Sequence, residues 1–91
     1  AFVLHPLYPN PFNATTRLRF DLVETATVSV HIFNVAGESV RRIPLGRLGN
    51  GSHRIDWDGR NDSGASVASG VYFVQVRMNE ITAGKKVLLL R

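Results

Sequence analysis

The sequence predicts an all-β domain, a seven-stranded antiparallel sandwich of two sheets. Three observations predict it. Apolar and polar residues alternate in run after run, and side chains two apart share one face of a strand. Turn residues separate the runs at spacings of about 8–12 residues, as in sandwiches and barrels. No stretch keeps a helical period for more than one turn. Between those two closures the immunoglobulin-like β-sandwich is the better match, although the cysteine pair of antibody domains is missing.

The elements follow in order. A first strand is expected over roughly residues 2–7. Leu7 to Asn13 then holds Pro9 and Pro11, which remove donors and extend the residues before them. That segment reads as a stiff lead-in and a turn, with Tyr8 and Phe12 anchoring it. The second strand, roughly 15–22, alternates Leu18, Phe20 and Leu22 with Arg17, Arg19 and Asp21. The third, roughly 27–34, places Val28, Val30 and Ile32 on one face and Ser29, His31 and Phe33 on the other. Ala36-Gly37 after Asn34 makes a hairpin-like turn. The fourth strand, roughly 38–45, is out of phase between Val40 and Ile43 and is expected to bulge or bend. Gly46, Gly49, Asn50 and Gly51 read as the next connection. The fifth, roughly 52–57, ends on Ile55 and Trp57. A polar, turn-rich loop, Asp58-Gly59-Arg60-Asn61-Asp62-Ser63-Gly64, leads to the sixth strand at roughly 70–78, with Tyr72, Val74 and Val76 facing the core. Asn79-Glu80 links it to the last strand at roughly 81–90. The expected core is Leu18, Phe20, Val28, Val30, Ile32, Ile55, Trp57, Tyr72, Val74 and Val76, with the Tyr72 hydroxyl near a strand end and Phe73 on the outer face.

Ninety-one residues suit one domain spanning 1–91 with a modest core. The formal net charge is +4, and the arginines are scattered along outward faces, where they keep strands soluble and blunt edge pairing. An anionic partner such as lipopolysaccharide is the other reading of that charge. Nucleic acid is not expected, because no basic cluster interleaves with aromatics. No apolar run reaches the about 20 residues of a transmembrane helix. Ala1 to Asn13 has no basic start and contains three prolines, so it is no signal peptide, and the numbering is expected to start inside a larger protein. With no cysteine, disulfides and thiolate metal sites are excluded.

Catalytic patterns are missing. His5, His31 and His53 lack partners at ligand spacing, and no Gly-x-Ser-x-Gly elbow occurs. Asp56, Asp58 and Asp62, with Asn61, are oxygen ligands grouped closely enough to raise calcium, Asp58, Asn61 and Asp62 being the candidates within the loop. Arg60 interrupts them and no bidentate Glu follows, so they read as turn formers bonding their own backbone, and no metal or other cofactor is expected. Trp57 reads as the central core aromatic rather than a sugar platform; only Phe33 and Phe73 have the phase for exposed aromatic contact.

Three pieces then stand together: Tyr8-Pro9-Asn10-Pro11-Phe12-Asn13; Trp57-Asp58-Gly59-Arg60-Asn61-Asp62 leading to Gly70-Val71-Tyr72-Phe73; and Lys85-Lys86-Val87-Leu88-Leu89-Leu90-Arg91. In this combination the chain resembles the C-terminal sorting domains of the type IX (Por) secretion system, and it is similar to the related immunoglobulin-like domain of flagellar hook-capping proteins. Asn34 to Arg41 matches the middle hairpin. The resemblance implies a non-catalytic signal domain behind an upstream cargo domain. It would be recognised by an outer-membrane translocon and removed by a sortase-like peptidase. The cargo would be exported, passing through the periplasm to the medium or the cell surface. Carried over, the recognition residues are Pro9, Asn10, Pro11 and Phe12, then Gly70 and Tyr72, then Lys85, Lys86, Val87, Leu88, Leu89 and Leu90. A terminal strand is accessible and can be peeled or added to another sheet. Its exposed edge also allows an edge-to-edge dimer.

The competing expectation is an immunoglobulin-like spacer in a larger secreted enzyme or adhesin, without a transport role. The middle piece is common to both kinds of domain, so the sorting expectation leans on the two ends.

Overall fold

The computed structural model describes residues 2–91. Seven strands form: β1 (Phe2–Leu4), β2 (Thr16–Leu22), β3 (Ala26–Phe33), β4 (Ser39–Leu48), β5 (Gly51–Trp57), β6 (Gly70–Met78) and β7 (Ile81–Leu89). They build a three-stranded sheet, β1-β2-β5, and a four-stranded sheet, β4-β3-β6-β7, with every neighbouring pair antiparallel. The chain changes sheet between β2 and β3, between β4 and β5, and between β5 and β6. The expected all-β, immunoglobulin-like class is therefore the observed one.

The alternation read from the sequence becomes burial. Leu18, Phe20 and Leu22 face Val28, Val30 and Ile32 across the sandwich, with Val74, Val76 and Val87 beside them. Burying such side chains contributes about 1.5–3 kcal/mol each. Ile55 departs from expectation: it lies on the outer strand β5 and is only half-buried, packed against the rim of the core.

Three boundaries also differ. The first strand stops at Leu4, not residue 7, because Pro6 has no N–H to continue the ladder. The His5 and Tyr8 amides still bond to β2, through Arg19 O (3.0 Å) and Arg17 O (3.1 Å). Beyond the proline, Leu7 is buried while Tyr8 is 80% exposed, so Leu7 and Phe12 are the anchors and Tyr8 is not. β4 runs on to Leu48, which makes Gly46 part of the strand rather than of the next connection. The expected irregularity is there, twice. Phe33 pairs Ser39 while Ile32 pairs Arg41, and Ser29 pairs Pro44 while Val28 pairs Gly46, so Val40 and Leu45 are the extra residues. Each bulge resets the phase, and Val40, Ile43, Leu45 and Leu48 can all turn inward despite their uneven spacing. Gly46 supplies the left-handed backbone (φ +73°) at the second. The last strand ends at Leu89 rather than 90.

Candidate functional site

The two ends of the chain, separate in sequence, meet along the outer edge of β7. The side-chain amide of Asn10 behaves as a residue of an added strand. Its Oδ1 accepts from Leu88 N (2.9 Å) and its Nδ2 donates to Lys86 O (3.3 Å). Phe12 continues the pairing with its backbone, donating to Leu88 O and accepting from Leu90 N, both at 2.9 Å. Four outward backbone groups, Lys86 O, Leu88 N, Leu88 O and Leu90 N, are thus satisfied in cis. Among the described residues, no partner chain segment covers the same edge from Ile81 to Lys85. The Tyr8–Pro9 and Asn10–Pro11 peptide bonds are cis, and Thr16 Oγ1 donates to Pro9 O at 2.7 Å.

Beneath this edge lies an aromatic cluster. The Phe12 ring stands 5.5 Å from Trp57, and Trp57 stands 5.1 Å from Tyr72, nearly edge-on. Both polar aromatics are satisfied. Trp57 Nε1 donates to Arg60 O (2.9 Å), and the Tyr72 hydroxyl donates to Ala68 O (2.6 Å), a tyrosine corner at the start of β6. Burial pushes the Tyr72 hydroxyl pKa up.

Arg91 closes the corner. Its backbone N donates to Ser69 Oγ (2.8 Å), its Nε to Val67 O (2.6 Å) and its Nη2 to Gly59 O (2.6 Å). The expectation of a readily peeled terminal strand is corrected by these contacts: β7 is paired on both sides near its end and latched by Arg91. Nothing in local sequence pattern announced the latch, because its acceptors, two backbone carbonyls and the Ser69 hydroxyl, lie more than twenty residues away.

Asp58 and Asn61 are engaged in the loop itself. Asn61 Oδ1 accepts from Ser63 N and Ala65 N, both at 3.0 Å, and Asp58 Oδ1 accepts from Arg60 N at 3.2 Å. Asp62 instead reaches the outer edge of β4, its Oδ1 accepting from Arg42 N at 3.1 Å. The three side chains serve four different backbone amides and do not converge on a common point.

The expected recognition residues divide by exposure. Pro9, Asn10, Pro11, Lys85, Lys86 and Leu90 are exposed; Gly70 and Leu88 are half-buried; Phe12, Tyr72, Val87 and Leu89 are buried. The last four hold the surface that the others form. Phe73 lies outward, 41% exposed, opposite Phe33 on β3 and Lys86 on β7.

Elsewhere the ionic groups are at the surface. Arg17 Nε holds Asp56 at 2.8 Å and pulls its carboxyl below the usual range. His5, at 2.8 Å, and then Ser52 do the same for Asp21. His31 is lowered by burial and then by Arg42; its Nε2 lies 2.6 Å from Ser39 Oγ.

The FlgD Ig-like domain family model matches residues 9–80. No curated protein matches the sequence. Among solved structures, dimeric latent PorU from Porphyromonas gingivalis superposes on 99% of this chain with a TM-score of 0.80 at 20% identity. FlgD from Pseudomonas aeruginosa superposes on 82% of it with a TM-score of 0.66 at 28% identity. PorZ, a surface component of the type IX secretion system of P. gingivalis, superposes on 97% with a TM-score of 0.63 at 23% identity. The chain spans 9% of that PorU chain, 60% of that FlgD chain and 11% of that PorZ chain. With the family match covering most of a sandwich whose strands, bulges and tyrosine corner are all accounted for, the chain belongs to the family of FlgD Ig-like domains.

Proposed function

We propose that this domain is a non-catalytic sorting signal that directs an exported cargo to an outer-membrane type IX translocon, for secretion or surface attachment. The carrying observation is the meeting of Pro9–Phe12 with Lys85–Leu90 on one edge of β7. Two segments separated by the whole sandwich make one surface only when the domain is folded, which suits a signal read as a folded object. The likeness to the PorU and PorZ chains supports the same direction. The open stretch Ile81–Lys85 is where a partner strand would add, with backbone bonds giving affinity and the flanking lysines giving orientation. Partners in this reading are the translocon, a sortase-like peptidase and the upstream cargo domain. The domain would pass through the periplasm to the medium or the cell surface. A non-catalytic role is supported by the engagement of Asp21, Asp56, Asp58 and Asp62 in ion pairs or backbone bonds.

Deleting residues 85–91 would remove the buried Val87 and Leu89, so loss of export could reflect misfolding. The sharper test reverses charge at exposed positions, Lys85→Glu with Lys86→Glu, in a cargo fusion expressed in a host with a working type IX system. The fold should persist by circular dichroism while cargo accumulates in the periplasm. Normal surface delivery of the variant would refute the proposal.

One observation favours the second reading, a structural spacer of a larger secreted enzyme or adhesin. The family match stops at residue 80, short of Lys85–Arg91. A spacer predicts that replacing the whole domain by an unrelated sandwich of similar size leaves delivery unchanged.

A further inference from the structure

The outward face of the three-stranded sheet carries a charge arrangement that folding alone does not explain. Arg19 of β2 stands directly opposite Arg54 of β5. Directly opposed residues hold their Cβ atoms about 4.5–5.5 Å apart, and like charges there are destabilising. The neighbouring ionic groups on this face are partnered instead. Arg17 is opposite Asp56 and bonded to it, and Asp21 is opposite Ser52 and bonded to His5. Both nearby carboxylates are bonded to other groups, and Arg19 and Arg54 reach Asp21 and Asp56 only by longer-range attraction; among the described residues no carboxylate lies within salt-bridge distance of either. Both arginines are exposed. Two shallow concavities adjoin them. One, about 550 Å³, includes Arg17 and Arg19 with Tyr8 and Pro9 on its wall; the other, about 400 Å³, includes Arg19, Arg54 and Ser52.

We propose that Arg19 and Arg54 form a binding site for a phosphoryl group. Guanidinium groups present forked donors that match phosphate oxygens, and a phosphoryl group offers three strong acceptors and up to two charges. One such group bridges both arginines and converts their repulsion into a linkage. The fork geometry favours tetrahedral phosphoryl oxygens over a planar carboxylate, and a free phosphate or monoester adds a second charge that a diester headgroup lacks. The phosphoryl group has two sources, a free phosphate compound or a phospholipid headgroup.

The test titrates the 91-residue chain with inorganic phosphate, against sodium chloride at matched ionic strength, following NMR shifts and thermal unfolding. A parallel arm sediments the chain with phosphatidylglycerol vesicles. Saturable shifts at Arg19 and Arg54 with phosphate assign free phosphate; vesicle binding without them assigns the headgroup. In either case Arg54→Thr should weaken binding about tenfold or more. Arg47→Gln, exposed on the other sheet, should leave binding unchanged. The proposal fails if neither ligand gives a saturable response, or if Arg54→Thr binds as well as the parent.

Discussion

At the scale of single residues, the corner after Trp57 depends on a few contacts with no slack. The Tyr72 hydroxyl is the donor to Ala68 O, at 2.6 Å. Tyr72→Phe keeps the ring beside Trp57 but removes that donor, and losing a part-buried hydrogen bond of this kind costs about 0.5–1.5 kcal/mol. Urea unfolding of the variant should show a loss in that range, and an unchanged midpoint would mean that the bond contributes nothing. Gly59 carries two constraints together. Its φ is +72°, and a Cβ built there would stand 2.6 Å from Arg91 Nη2. The backbone alone makes Gly59→Ala unfavourable by about 1–2 kcal/mol, and the clash adds to it. In an Arg91→Ala background the clash with Arg91 disappears, and the backbone part and a tight 3.3 Å contact with Leu89 Cδ2 remain. The two substitutions should therefore be non-additive, with Gly59→Ala less damaging in the double variant. Additive unfolding energies would show that Arg91 is not seated against Gly59 in solution.

At the scale of elements, β7 behaves as two halves. Its last residues are flanked by β6 on one side and by Asn10 and Phe12 on the other, while Ile81 to Lys85 has β6 alone. Asn10→Ala removes both side-chain bonds to this edge and should destabilise by about 1–2 kcal/mol. Hydrogen exchange at Leu88 should quicken more than at Val87, whose neighbours in β6 are untouched; equal acceleration of both amides would point to global rather than edge-local opening. This half-covered edge also marks how far the sequence could be read. Strand identity was legible because alternation is local, and the β4 bulges were legible in part because Val40 and Ile43 break phase. Gly46 was misplaced since a glycine in a bulge and one in a turn look alike in sequence. Tyr8 was misread as an anchor because an aromatic ring carries no local sign of the side it will face. The bonds of Asn10 to Lys86 and Leu88 span 76 and 78 residues and leave no periodic trace. They were anticipated only as a resemblance at the two ends, without the pairing that joins them.

For the whole molecule, the carboxylates and histidine that have shifted all shift the same way, and this sets the response to acid. The carboxyls of Asp56 and Asp21 are held below the ordinary range by Arg17 and by His5, and His31 is lowered by burial and then by Arg42. In each case the unfolded chain takes up its proton at a higher pH than the folded one. Stability from these groups is therefore present above the unfolded values and is lost as pH falls through the folded ones. The histidine contribution begins to fall below about pH 6.5 and the carboxylate contributions below about pH 4. Tyr72 is shifted the opposite way, upward, so its contribution is retained below its ordinary value of about pH 10 and declines above it. The urea midpoint should accordingly be flat between about pH 7 and pH 9, decline in two acid steps and fall again in strong alkali. His31→Gln should remove the first acid step and leave the second, whereas Asp56→Asn should shrink the second and leave the first. These groups lie near the surface, so each step is small and the Asp56 step should shrink further in about 0.5 M salt, where exposed pairs are screened. A first step that survives His31→Gln would locate the titrating group elsewhere and overturn the assignment of burial at His31 as its cause.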